Sequence, residues 1–176
     1  MNSAVSPLLK RYCGKPAILD ANVLLLYWCA SFDSGLVHAF KRLNSFSSED
    51  IELLRKTLKL FPSIRTTPHV LTEVSNLANS LPEWRKEDWS RHFARQVDVF
   101  EERWTLAKAL VQTPAIFLGL ADSALYELAS THVILTIDFP LSNYLESKKL
   151  NVVNFNHLRE SQLFNDRPRS HRRRAL

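Results

Sequence analysis

Glycine is scarce: Gly14, Gly35 and Gly119 are the only three in 176 residues. Loops that cradle phosphates with backbone N–H groups need glycines clustered at fixed spacing, so P-loop and dinucleotide-fold chemistry is excluded. Cysteine is nearly as rare. Cys13 and Cys29 are too few for a disulfide framework and lack the paired spacing of a zinc site, so both read as free thiols, with Cys29 packed in a helix. The six histidines, His38, His69, His92, His132, His157 and His171, are scattered without ligand spacing and read as surface or local hydrogen-bonding groups. No apolar run approaches the length of a membrane span, and the polar start MNSAVSPLLKRYCGK lacks the long apolar stretch of a secretory signal. A soluble, cytoplasmic chain with no membrane partner is expected.

Excess charge is also missing from most of the chain. The formal net charge is +5, but five of the 23 lysines and arginines (Arg167, Arg169, Arg172, Arg173, Arg174) fall at the very end, leaving 18 basic residues against 18 acidic ones. A neutral body with a basic, flexible tail over 161–176 is the expected division, with one domain over 1–160. Arginine clusters gain affinity for phosphates by releasing counterions, so Arg172, Arg173 and Arg174 are candidate nucleic-acid contacts; a solubilising tail is the ordinary alternative.

With 45% hydrophobic residues the chain can bury a substantial core. Its apolar patterning alternates between strand and helix. Strands are expected at Ala17–Leu19, Ile64–Thr66, Val133–Thr136 and 151–155. Helices are expected over 22–30, 35–43, 48–60, from Pro68 onward, from about 120 to 130, and over Phe139–Ser147. Ser47 or Ser48 should cap the 48–60 helix. The stretch 83–111, with Trp84, Trp89, Phe93, Val97, Phe100 and Trp104, predicts one long helix or a helical hairpin whose aromatic face is mostly core. Alternating strands and helices imply a parallel sheet with crossovers, and ligands of such sheets bind beyond the carboxyl ends of the strands.

Four acids stand in apolar sequence: Asp20 in AILDANVLLLYW, Glu73 in TPHVLTEVSNL, Asp122 in LGLADSAL and Asp138 in VILTIDFPL. An unpaired buried carboxylate is costly, and no lysine or arginine lies close in sequence to Asp20, Asp122 or Asp138. A hard divalent cation such as Mg²⁺ or Mn²⁺, which takes oxygen ligands and leaves positions for water and phosphate, is the economical partner. Each acid also has an ordinary explanation. The three aspartates read individually as helix N-caps and Glu73 as a solvated helix residue at the margin of an apolar stripe. Capping leaves a carboxylate oxygen free, so the two roles are compatible. Arg65, beside Thr66 and Thr67, is a candidate phosphate contact, with a solvated loop residue as the ordinary reading.

Taken together the four segments resemble the PIN-domain nucleases, the small bacterial toxin-type members in particular. The resemblance rests on Asp20-Ala21-Asn22 between a strand and an apolar helix, on Glu73 in the helix after Thr67-Pro68, on Asp122 in Leu120-Ala121-Asp122-Ser123-Ala124-Leu125, and on Thr136-Ile137-Asp138 closing a strand. It spans roughly Ala17 to Phe155; the stretch Ser31 to Phe61 is longer than in the shortest toxins. It implies a PIN-like three-layer α/β/α sandwich around a short central parallel sheet. It further implies a Mg²⁺- or Mn²⁺-dependent endoribonuclease acting on RNA, with Asp20, Glu73, Asp122 and Asp138 as catalytic metal ligands and Asn22, Thr136 and Ser123 orienting carboxylates or waters. The implied setting is a toxin–antitoxin pair, with an antitoxin protein and a homodimer as partners. A PIN nuclease of RNA maturation or of structured DNA, and a non-catalytic PIN-like binding module, are the rivals.

Overall fold

Three consecutive apolar residues, Ala17–Leu19, form strand β1, and all three are buried. Neighbouring residues of a strand point to opposite faces, so unbroken burial means that both faces of the sheet are covered. The same holds for β4 (Val133–Thr136) and β5 (Val152–Asn154). A computed structural model of the chain describes residues 7–165 apart from Cys13 and Ser34. In chain order the elements are α1 (Pro7–Lys10), β1, α2 (Ala21–Phe32), α3 (Gly35–Ala39), α4 (Ser48–Leu58), β2 (Ile64–Thr66), α5 (Pro68–Ala78), α6 (Glu83–Val97), β3 (Glu101–Glu102), α7 (Ala107–Leu110), a 3₁₀ turn (Ile116–Leu118), α8 (Leu120–Leu128), β4, α9 (Phe139–Ser147), β5 and α10 (Phe155–Asn165). The strands make one sheet in the order β3-β2-β1-β4-β5, every pair parallel. The fold is thus α/β, with an all-parallel five-stranded sheet compatible with a three-layer α/β/α sandwich. Among the described residues no helix is long and apolar enough to cross a membrane.

From β1 the chain proceeds outward through β2 to β3, then returns to the other side of β1 to add β4 and β5. The order therefore reverses between β1 and β4, the place where open parallel sheets leave a crevice at their carboxyl ends. The register Ala17↔Val133, Ile18↔Ile134, Leu19↔Leu135 brings the last residues of both strands to the same level.

Local signals account for most helix starts. Ser47 and Asp50 form a reciprocal capping box at α4. Thr67 caps α5 with Pro68 in its first turn. Gly119 opens α8 at φ 121°, ψ 168°, a conformation essentially confined to glycine. Arg159 of α10 reaches Asp50 at 2.8 Å and ties the last helix to α4.

Three expectations need correction. The helix predicted over 35–43 stops at Ala39 and continues as turns. The 83–111 stretch breaks after α6 into the edge strand β3 and the short α7. Two glutamates have poor strand propensity, and only their pairing with Arg65 and Thr66 of β2 makes them a strand. The aromatic face is core for Trp89 and Phe93, which pack edge-on against Phe32 and Trp28, whereas Trp84 and Trp104 are exposed. Finally, β5 ends at Asn154, whose side chain accepts from the Asn156 N–H at 3.0 Å. That Asx turn bends the chain into α10, so Phe155 opens a helix. Cys29 is buried in α2 and burial pushes its thiol up to about 12, leaving it unreactive; Cys13 lies outside the described residues.

Candidate functional site

The crevice between β1 and β4 receives acids from four separate segments. Asp20 follows β1 and caps α2, its Oδ1 accepting from the Val23 N–H at 2.8 Å. Asp138 follows β4 by two residues and caps α9, its Oδ1 accepting from the Leu141 N–H at 2.8 Å. Asp122 stands in the first turn of α8 and is not the cap, a place that Gly119 takes. Glu73 projects from the middle of α5, which packs against both α2 and α8.

Electrostatics shows the convergence. The Asp122 carboxyl is pushed up to about 7, first by burial and then by the charges of Glu73, Asp138 and Asp20. Asp20, only 5% exposed, is pushed up to about 6 by burial, against the pull of hydrogen bonds from Thr136, Val23 and Ile137 and with a further push from Asp138. Burial also raises Glu73, and the nearby charge of Arg42 opposes it. Like charges in one desolvated space disfavour ionisation, and Asp122, which feels the charges of the other three, records that crowding most strongly.

Thr136 joins the two strand ends. Its hydroxyl donates to Asp20 Oδ2, which also accepts from the Ile137 N–H at 3.2 Å. The same hydroxyl oxygen accepts from the Asp138 N–H at 2.8 Å. One buried threonine therefore orients the carboxylate of Asp20 and the backbone that carries Asp138. A second polar set supports the loop from the β5 side: Asn154 donates to Ser142 at 2.9 Å, and Asn156 donates to the Ile137 carbonyl at 3.2 Å. The sequence reading missed this pair. Its signal was two asparagines at the end of an apolar strand, Val152-Val153-Asn154 and then Asn156.

The donor set suits a hard cation. Asp138 Oδ2 and all four carboxylate oxygens of Asp122 and Glu73 accept no hydrogen bond from the described residues, and none of the four acids enters a salt bridge there. Uncommitted carboxylate oxygens crowded around Asp122, whose carboxyl burial and then its acidic neighbours push up, are what an oxygen-seeking divalent ion neutralises. Among the described residues no three His, Cys, Asp or Glu side chains stand as a preformed metal cage, so the acids are gathered but not closed around a point.

The remaining sequence candidates divide. Thr136 lies within the cluster. Asn22, half-buried in the first turn of α2, makes no side-chain hydrogen bond with the described residues. Ser123 is buried but donates to the Gly119 carbonyl at 2.8 Å, so it steadies the turn under Asp122 and touches no carboxylate. Arg65 is committed elsewhere. It pairs with Glu101 at 2.7 Å and meets His132 at 3.0 Å, and His132 precedes β4 at the opposite end of the sheet from the acids. Arg172, Arg173 and Arg174 lie outside the described residues. Phe139, next to Asp138 and 47% exposed, was not singled out from the sequence; its ring lies 6.1 Å from that of His157.

An all-parallel α/β protein with an acidic crevice at its topological switch point is the class that fold and site define. No protein-family model matches the chain, and no curated protein or solved structure matches it either.

Proposed function

We propose that the chain is a PIN-type, Mg²⁺- or Mn²⁺-dependent endoribonuclease that hydrolyses phosphodiester bonds in RNA. The reading rests on one observation above others: four acids from segments up to 118 residues apart share a crevice in which burial, and then the charges of the other three, push the Asp122 carboxyl up to about 7. Asp122, Glu73 and Asp138 have free oxygens to hold the ion, and Asp20 contributes a carboxylate held in one orientation by three donors. When bound, the divalent ion supplies Lewis acidity that makes water acidic enough to attack at neutral pH and offsets charge on the phosphate. The amino ends of α2 and α9 open at the crevice and favour the anionic phosphate there. The exposed Phe139 ring offers a face on which an unpaired base can stack, a contact every base can make. The toxin role, with an antitoxin and a homodimer as partners, is proposed on the sequence resemblance alone.

An end-labelled single-stranded RNA incubated with the purified chain should be cut internally in Mg²⁺ or Mn²⁺ and left whole in excess EDTA. RNA that stays intact in both metals at pH 7–8, or cutting that persists in EDTA, overturns the proposal.

Thr136→Val tests the link between the strand ends while preserving shape. The buried Asp20 carboxylate and the half-buried Asp138 N–H lose their bond at once, so stability in urea should fall by about 2 kcal/mol. Cleavage should fall about 10- to 100-fold, the usual effect of removing a group that orients a metal ligand. A variant as active as wild type would leave Thr136 with a structural role only.

A further inference from the structure

At the other end of α9 the chain forms an open cavity of about 600 Å³ lined by Arg11, Tyr12, Glu146, Lys149, Leu150 and Asn151. Its walls are anchored. The Tyr12 hydroxyl donates to the Val152 carbonyl at 3.1 Å, and Lys15 donates to Asn151 at 2.9 Å. The Arg11 guanidinium lies 4.6 Å from the centre of the Tyr12 ring. Neither Arg11 nor Lys149 makes an ion pair with the described residues. Among the described residues the cavity's lining cations are Arg11 and Lys149, its lining carboxylate is Glu146, and Lys15 is tied to the wall residue Asn151.

Lys149 carries the strongest signal. It is the only non-glycine residue at positive φ among those described, at 56°. The Leu150 N–H returns to the Leu145 carbonyl at 3.0 Å, a helix ending whose left-handed position is normally glycine or asparagine. Lysine there is unfavourable for the backbone, and such outliers gather where function needs the side chain. In this case the residue in that conformation lines a cavity that Arg11 also lines, and neither side chain has an ion-pair partner among the described residues.

The helix itself links this cavity to the acids, because Asp138 caps its amino end and Lys149 closes its carboxyl end. The separation is roughly 16 Å at 1.5 Å per residue, or about five nucleotides at the 3.4 Å spacing of a stacked strand. We propose that the pocket of Arg11 and Lys149 holds the phosphodiester backbone of the strand whose scissile bond lies at the acid crevice. The inference rests on the nuclease reading and assigns that nuclease a single-stranded substrate long enough to reach both sites.

The test is binding, measured in EDTA so that no cleavage intervenes. Single-stranded RNAs of about 4 and about 12 nucleotides are titrated over a salt series with wild type, Arg11→Gln, Lys149→Gly and the double variant. Each lost contact should reduce the salt slope for the longer RNA by about 0.7, which is about five-fold in affinity for a ten-fold change in salt. The shorter RNA should distinguish the proteins least. Lys149→Gly relaxes the left-handed residue, so its melting temperature should equal or exceed that of wild type while its RNA affinity falls; a folding defect cannot produce that combination. Unchanged affinity and slope in the variants overturn the inference. So does competition by inorganic phosphate or a mononucleotide as strong as that of the longer RNA, which would make the cavity a small-anion site. Binding variants like wild type, with cleavage lost in Asp20→Asn, would remove this inference and leave the nuclease. Pocket-dependent binding with no cleavage in any metal would do the reverse.

Discussion

Asp122→Asn should lower metal-dependent RNA cleavage about 100- to 1000-fold, a loss of roughly 3–4 kcal/mol of transition-state stabilisation, while leaving the protein at least as stable as wild type at pH 8. The two effects are separable because Asp122 accepts no hydrogen bond from the described residues: amide for carboxylate removes a ligand and a crowded charge but no structural contact. Asp20→Asn should lower cleavage comparably but also destabilise. Its Oδ2 accepts from Thr136 and from the Ile137 N–H, and an amide nitrogen at that position would confront donors with a donor. Single-turnover cleavage of a labelled RNA, with urea unfolding of the same preparations, measures both. Full activity of Asp122→Asn would remove this residue from the mechanism, and full activity of both variants would remove the mechanism itself.

The second large effect is on stability against pH in the metal-free protein. Asp20 and Asp122 have folded-state values raised from 3.8 to about 6 and about 7. The native state therefore holds their protons more tightly than the unfolded chain does. This contribution is fully present below the unfolded value and lost as pH rises through the folded values, so the window runs from about 4 to about 7. Taken singly, shifts of that size correspond to roughly 3–4 kcal/mol each; the groups are coupled, so their joint effect is smaller than the sum. His92 and His132 work the other way, because burial lowers both and favours folding at higher pH. The difference between wild type and Asp122→Asn isolates the acid. The variant should match wild type near pH 3, below the unfolded value, and exceed it at pH 8 by up to roughly 4 kcal/mol in EDTA. Added Mg²⁺ should recover about 2.7 kcal/mol for wild type at a hundred times its dissociation constant, and little at pH 5, where protons compete for the same oxygens. A difference that does not change between pH 5 and pH 8 would contradict the crowding of the acids.

Much of the frame was legible in residues that act on their neighbours. Ser47 with Asp50, Thr67 with Pro68, and Asp138 before Phe139 announce helix starts because a cap is decided within four residues. The strands Ala17–Leu19 and Val133–Thr136 are visible as apolar runs, and both carry an acid just past their ends. The four acids could be chosen for their apolar settings alone. Other features had no local signal. Glu101 and Glu102 form a strand only because β2 lies beside them, and the aromatic spacing around them continues a helical pattern they do not follow.

The site divides in the same way. By itself the sequence determined which carboxylates are available, that Asp20 and Asp138 open helices, and that strands alternate with helices, because capping and hydrophobic periodicity are properties of short segments. The tertiary structure alone decided that β4 lies against β1, that Thr136 bridges to an acid 116 positions away, that Arg65 turns to Glu101 and His132, and that Asp122 titrates near neutrality. Strand order, desolvation and charge coupling are fixed by contacts between distant segments, and a pKa near 7 for an aspartate exists only where the folded chain removes water and brings other negative charges to the same place.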